Sequence, residues 1–182
     1  MKTTKWILDP THSDLGFKIK HLMITNVSGS IKDFQAEVET SGNDFTTARI
    51  SLTAAMGSIT TNNDQRDAHL RTVDFFETDK YPELKFQSTR IVKTGSDTFD
   101  VYGDLELKGV TNPVKLQVES SGAAKDPWGN ERSGFAITGK INRKEWGINF
   151  NSVLETGGVA LSEEVRINSE IQLVKQVEAV AA

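Results

Sequence analysis

Apolar residues fall on alternate positions through most of this chain. Leu15, Phe17, Ile19 and His21 alternate with Gly16, Lys18 and Lys20, and Ile50, Leu52, Ala54 and Met56 with Ser51, Thr53 and Ala55. The pattern returns at Phe99–Leu107, Val114–Val118, Phe135–Ile141 and Val165–Leu173. Successive side chains on a strand point to opposite faces, so each run predicts a half-buried strand with one apolar face. Many such strands joined by turns predict an all-β sandwich or a closed barrel. A closed barrel of about eight strands has an interior just wide enough for one small ligand. The pattern therefore raises a functional question: whether the interior is packed or carries something.

The boundaries follow from the punctuation. Strands are expected over Lys5–Asp9, ended by Pro10, and over Asp14–Leu22. Val27–Glu39 changes phase, because Val27, Gly29 and Ile31 share one parity and Phe34, Ala36 and Val38 the other. That switch predicts a β-bulge near Lys32-Asp33. After a turn at Gly42-Asn43-Asp44, a strand covers Ala48–Ile59. Asn63–Thr72 reads as a short helix capped by Asn63 or Asp64. With the apolar cluster Val73, Phe75 and Phe76 behind it, this helix reads as a lid on one barrel end. Further strands are expected over Leu84–Lys93 and Thr98–Leu107. Gly109 and Asn112-Pro113 then break the chain before a strand over Val114–Glu119. Ala123–Glu131 is a polar loop, Ser133–Asn142 a strand, Arg143–Gly147 a helical turn and Asn151–Gly158 an irregular loop. Glu164–Lys175 is the last strand, and the tail 177–182 is expected to fray.

At 182 residues the chain reads as one domain, 1–182, long enough to bury a core without staples. It has no cysteine, which excludes disulfide and thiolate chemistry. The net charge of −4 is of mixed sign, with no basic stripe, which argues against nucleic acid. No apolar run approaches the roughly 18 residues of a transmembrane helix. Met1-Lys2-Thr3-Thr4-Lys5 leads directly into the first strand with no apolar signal segment, so the sequence as written reads as cytoplasmic. Removal of a leader would instead place the protein in the periplasm.

Candidate chemistry is sparse. The three histidines are His12, His21 and His69. His12-Ser13-Asp14 has triad residue types, but strand neighbours face opposite ways and cannot form a relay. Asp67 and His69 stand two apart on the helix, and no metal-ligand spacing occurs, so no metal is expected. Gly134–Ile141 resembles the start of a phosphate loop but lacks its final Ser/Thr and alternates as a strand. His21 shares the inward parity of Phe17 and Ile19. It reads either as a core histidine or as a polar contact at the inner end of a ligand tunnel. Arg66 and Arg71 flank the lid, either solvated or available to an anionic lipid head.

The chain resembles the YceI-like family of polyisoprenoid-binding, lipocalin-like proteins, from about Trp6 to Leu173. Trp6-Ile7-Leu8-Asp9-Pro10-Thr11-His12-Ser13 is similar to the family's W-x-x-D-x-x-H-S start. Phe17 to His21, followed by Val27-Ser28-Gly29, is similar to its next element. Arg66-Asp67-x-His69-Leu70, Asp74-Phe75-Phe76 and Tyr81-Pro82-Glu83-x-x-Phe86-x-Ser88 match its central signature, the most specific part of the resemblance. Gly109-Val110-Thr111-x-Pro113-Val114, Asp126-x-Trp128-Gly129-x-x-Arg132, Asn142-Arg143 and Glu164-Val165-x-Ile167 follow in order. Glu106 and Lys108 depart from the family's usual Thr and His and alter the surface by that loop. Trp146 replaces Phe, filling space near one barrel end and changing the ligand that fits.

The resemblance implies an eight-stranded antiparallel barrel, lipocalin-like, with a short helix and helical turns near one mouth. It implies non-catalytic binding, and storage or transport, of a long-chain isoprenoid, such as a polyprenyl or isoprenoid quinone, or a similar amphiphile. It implies no cofactor, and it suggests a homodimer that no sequence feature fixes. The inward parity set offers Phe17, Ile19, Phe34, Leu52, Ala54, Met56, Phe99, Leu105, Phe135, Ile137 and Ile171 to the tail. His21 and Trp146 join them as ligand contacts. Phe75 and Phe76 do so as a gate, or else simply close the core. Two other readings stand beside this one. A barrel with a packed interior would serve as a protein-interaction or stress-related module, with no cavity and an exposed apolar patch. A small hydrolase-type enzyme using His21 or His12 would place a carboxylate or hydroxyl beside that histidine in a cleft.

Overall fold

A computed structural model describes residues 2–177. The strands in chain order are β1 (Thr3–Leu8), β2 (Gly16–His21), β3 (Thr25–Ile31), β4 (Phe34–Ser41), β5 (Asp44–Ala55) and β6 (Ile59–Thr60). After helix α1 (Asp64–Leu70) come β7 (Glu83–Lys93), β8 (Thr98–Leu107), β9 (Val110–Lys125), β10 (Glu131–Asn142) and β11 (Leu161–Lys175). The strands pair antiparallel in the order β1-β4-β5-β7-β8-β9-β10-β11, and β11 pairs back onto β1. The sheet thus closes into an eight-stranded barrel, the architecture the resemblance implied.

Three of the eight staves are each broken in two. β11 lies beside β1 at Leu173–Lys175 and beside β2 at Leu161–Asn168, so β1 and β2 are consecutive pieces of one stave. The 3-10 turn Pro10–His12 separates them, and Asp9 caps it by accepting from the Thr11 backbone N–H. β3 and β4 share the next stave, since β3 pairs with β2 and β4 with β1. The parity switch at Lys32-Asp33 is thus a break between two strands rather than a bulge within one. β5 and β6 form the third broken stave, separated by the turn Met56–Ser58.

Other expectations need correction. The chain does not break at Asn112-Pro113; β9 starts at Val110 and runs on to Lys125, so the expected loop shrinks to 126–130. Proline fits because pairing of β9 with β10 begins only at Leu116, leaving that part of β9 beside β8 alone. The helix is capped by Asn63, whose side chain accepts from the Arg66 backbone N–H. Except for Val177, the expected frayed tail lies outside the described residues.

The barrel has two distinct ends. Trp6, Phe45 and Phe135 stack near one, with ring centroids 5.1 and 5.0 Å apart. Beside them Arg132 joins strand ends distant in sequence, donating from Nη1 to Asp9 Oδ2 at 2.6 Å and from Nε to Asp126 Oδ2 at 2.9 Å. Hydrogen bonds from Thr11, His12 and Arg132 hold the Asp9 carboxyl well below the ordinary range, outweighing its burial. The other end carries α1, the turn Arg143–Trp146 and the loop 147–160, and is called the lid end below.

Two phenylalanines lie over glycines inside the barrel. A Cβ added at Gly29 would sit 2.4 Å from the Phe17 ring, and one at Gly103 would sit 2.4 Å from the Phe86 ring and 2.6 Å from the Gln87 carbonyl oxygen. The carbonyl at Gly103 is backbone and cannot swing away. Gly103→Ala is therefore expected to destabilise the protein by about 1–3 kcal/mol, the usual range for overpacking, as read from urea-unfolding midpoints.

Candidate functional site: an apolar cavity with a polar end

The barrel interior is not filled. A cavity of about 500 Å³ runs through it, within the size range of small-molecule sites. Packed interiors leave few voids larger than a water molecule, so the fully packed barrel is excluded. The cause is visible on the long strands. Val114, Leu116 and Val118 on β9, and Val165 and Ile167 on β11, have inward parity and line the cavity, and each stays partly accessible on its cavity side instead of being sealed in the core.

Most of the expected ligand contacts border this space. β2 contributes Phe17, Ile19 and His21; β5 contributes Leu52, and Met56 follows it. Phe75 and Phe76 come from the lid segment, Phe99 and Leu105 from β8, Phe135 and Ile137 from β10, and Ile171 from β11. Phe34, Ala54 and Trp146 do not line it. Phe34 and Ala54 are a directly opposed pair buried in the core cluster, where β4 starts and β5 ends. Parity sets which face a residue takes, not how far along the stave the cavity extends. Trp146 is 1% exposed and donates from Nε1 to the Leu105 carbonyl at 2.9 Å, behind the cavity wall. It fills space at the lid end without lining the cavity.

His21 is exposed at the rim, so it is neither a core histidine nor a contact at the inner end. The hairpin tip beside it places Leu22 and Met23 at φ values of 55° and 57°, a region costly for such side chains. Met23 and Ile24 there are 63% and 80% exposed. His12 does have a carboxylate at 2.8 Å, on Asp9, but His12 lies in the turn Pro10–His12 that Asp9 caps, and neither lines the cavity.

The lid is tied down by buried polar bonds. Asp67 of α1 is 4% exposed and accepts from the Thr61 N–H at 2.7 Å, the Thr61 hydroxyl at 2.6 Å and the Thr60 hydroxyl at 3.0 Å. Burial pushes the Asp67 carboxyl up, but these bonds and the nearby Arg71 charge outweigh it and hold it below its ordinary value. Arg66 donates from Nε to the Thr61 hydroxyl at 2.6 Å and from Nη2 to the Thr61 carbonyl at 2.8 Å. Arg71 donates from Nε to the Gly57 carbonyl at 3.1 Å, and does not line the cavity. Lys108, one of the residues departing from the family pattern, donates to the Val73 carbonyl at 2.8 Å and holds the segment after α1.

Sequence reading missed three neighbours of the lid: His69, Phe150 and Arg143. His69 packs edge-on against Phe75 and Phe150, at 5.0 and 4.8 Å between centroids, and its Nε2 lies 2.8 Å from Asp74. Arg143 is 3% exposed and donates to the carbonyls of Ser162, Ile148 and Phe150 at 2.8–2.9 Å. Its signal was present, because Arg143 continues the inward parity of Phe135, Ile137, Gly139 and Ile141. Phe150, inside an irregular loop, gave none. Among the described residues no cluster of three or more His, Asp or Glu could hold a metal ion, and no helix is long and apolar enough to cross a membrane.

Comparison with known proteins places this geometry. The YceI-like domain model matches residues 6–173. A UPF0312 protein of Staphylococcus aureus (strain bovine RF122 / ET3-1) is 41% identical over 170 residues, covering 93% of this chain and 96% of the relative. The crystal structure of a Campylobacter jejuni YCEI protein matches at a TM-score of 0.76 and 32% identity, over 93% of this chain and 96% of that one. A polyisoprenoid binding domain from Saccharophagus degradans, implicated in plant cell wall breakdown, shares the fold at a TM-score of 0.68 and 17% identity, over 94% of this chain and 98% of that one.

Replacing Asp67 by Asn leaves the buried Thr donors with a weaker acceptor and is expected to cost about 1–3 kcal/mol near pH 7. A carboxyl whose folded pKa is depressed contributes stability above its unfolded value, about 3.9, and loses it as pH falls through the folded value. The wild-type advantage over Asp67→Asn in urea unfolding is therefore expected to be full at pH 6 and to shrink steadily below pH 4.

Proposed function

This chain belongs to the YceI-like family, and we propose that it is a non-catalytic carrier of a long-chain isoprenoid, or a similar amphiphile, held inside the barrel. The observation that carries this reading is the cavity itself, about 500 Å³ bounded mostly by aliphatic and aromatic side chains. The polyisoprenoid binding of the Saccharophagus degradans neighbour supports the same ligand class.

The volume limits the tail. Allowing about 30 Å³ for each water-sized group, the cavity holds roughly 17 carbons, three to four isoprene units. Burial at about 0.8 kcal/mol per carbon would nominally give about 14 kcal/mol, and ordering a flexible chain lowers this substantially. A longer tail leaves its remaining units outside the enclosed part. Smooth apolar walls discriminate weakly, since one methylene is worth only about 1–3 kcal/mol, so tail length is set by depth rather than by side-chain recognition. The exposed apolar residues Met23 and Ile24, beside His21 at the rim, give a wet surface across which such a tail passes.

The enzyme reading lacks its predicted arrangement at the cavity. His12 and Asp9 are close, but the His12 ring is exposed, Asp9 is engaged by Thr11 and Arg132, and neither lines the cavity.

Ile137→Trp adds bulk into the middle of the cavity without touching the backbone ladder. It is expected to weaken binding of a C20 polyprenyl probe at least tenfold while leaving the melting temperature within a few degrees of wild type. Unchanged binding by the folded variant would place the ligand elsewhere.

A further inference from the structure

The barrel wall is not laddered along its whole height. β5 and β7 pair only from Ser51 with Gln87 to Ala55 with Glu83, on the side toward the lid end. Yet β5 begins at Asp44 and β7 runs on to Lys93, each held on its other edge by β4 or β8. Asp44–Arg49 and Thr89–Lys93 therefore face one another without a ladder, at the end that carries Trp6, Phe45 and Phe135. One bond marks where the strands part: Ile50 donates its N–H to the Ser88 hydroxyl at 2.8 Å instead of to a backbone carbonyl. Beyond it, among the described residues, no hydrogen bond or ion pair crosses this seam. Hydrogen bonds from Thr46, with a smaller pull from the Lys93 charge, hold the Asp44 carboxyl below its ordinary value, so the two lips stay near one another at their outer end.

Both lips are bent by an irregularity in the neighbouring ladder. The register of β7 against β8 shifts between Ser88 and Arg90, and that of β5 against β4 shifts opposite Glu39–Ser41. Such bulges bend a strand and raise its twist, which carries β7 away from β5. Elsewhere an unpaired stretch is covered: β9 before Leu116 has no partner on β10, but the Asn112 amide there donates to the Glu145 carbonyl of the Arg143–Trp146 turn at 2.8 Å. Nothing comparable covers the seam. The cavity reaches it from inside, since Phe45, Ala48 and Ile50 of β5 and Ile91 of β7 line the lumen. Outside, Val92 on the β7 lip is 39% exposed. Closing a barrel removes sheet edges, so a stretch left with two facing edges gives up much of what closure provides.

We propose that the seam between β5 and β7 is a lateral exit for the hydrocarbon tail, so that a lumen holding three to four isoprene units serves ligands much longer than itself. This inference rests on the carrier reading and deepens it by giving the path of the tail and the rule for its length. An intact ladder holds strands about 4.8 Å apart across a row of hydrogen bonds, a wall that no hydrocarbon chain crosses. The seam lacks that row, and a tail passing there displaces only water from the facing edges. The stacked rings of Trp6, Phe45 and Phe135 occupy the axial way out at the same end. At the lid end, passage would break the buried bonds of Asp67 and Arg66 to Thr61. The seam is the part of the wall that parts without breaking such bonds.

The test uses two prenols, C15 and C40, each with a photoactivatable diazirine on its last isoprene unit, bound to the delipidated full chain. Both are expected to bind, with affinities within about threefold of each other. After irradiation, the C40 probe is expected to label chiefly 44–50 and 88–93, while the C15 probe labels residues inside the lumen. C40 label concentrated instead on Met23, Ile24 or 151–160 overturns the exit and leaves the carrier reading intact, as does binding of C15 without C40. Binding of neither overturns both. The chain has no cysteine, so the seam can also be tied selectively. Arg49→Cys with Thr89→Cys places two thiols at exposed positions on its opposite lips, to be joined by a short bifunctional thiol reagent. The joined protein is expected to lose at least tenfold in affinity for C40 and to bind C15 like the unjoined double variant. Unchanged C40 binding by the joined protein also overturns the exit. Should the pair fail to join, the labelling pattern of the wild-type protein still decides.

Discussion

β11 pairs along its length with β10 and, on its other edge, with β1 and then β2. This double pairing closes the sheet. Without it, β1, β2 and β11 would expose rows of unpaired N–H and C=O groups, which folded chains avoid at substantial cost. Closure also fixes the staves around a lumen that their side chains do not fill. The 3-10 turn at Pro10–His12, the corner at Lys32-Asp33 and the turn at Met56–Ser58 let three staves break and bend while the ring stays closed. The cavity is a consequence of closing the ring.

The motif residues that mark the family divide by role. Asp9 and Arg132, with Asp126, clamp strand ends far from the lid. Asp67 and Arg66, with Thr61, fasten the helix over the barrel. Most of these polar groups satisfy one another and hold architecture. The cavity walls are generic aliphatic and aromatic surface. At the lid end Arg143 keeps a buried donor, Nη2, without a hydrogen-bond partner among the described residues.

Much of this was legible in the sequence. Period-two alternation located most strands, and a capping asparagine before Gln65–Leu70 located the helix. Parity alone fell short where a stave breaks, because Lys32-Asp33 gives the same signal for a bulge and for a break. It also could not separate Phe34 and Ala54, sealed at a corner, from Leu52, one pair further along the same face. Proline at 113 suggested a break, whereas only the pairing of β9 shows that its missing N–H falls beside an unpartnered edge. Phe150 is in an irregular loop and reaches the cavity only through the tertiary path of residues 147–160. Arg143 was readable in principle, because it continues the inward parity of the apolar face of β10, where its buried guanidinium ties down the Ser162, Ile148 and Phe150 carbonyls.

The central claim is that the barrel encloses an amphiphile. The most direct measurement is mass spectrometry of the protein under native conditions and of its organic extract, after purification from the host without detergent. The account predicts a roughly stoichiometric lipid, its tail long enough to fill three to four isoprene units of cavity. Ligand-free protein that also fails to take up an added C20 polyprenyl lipid would contradict it.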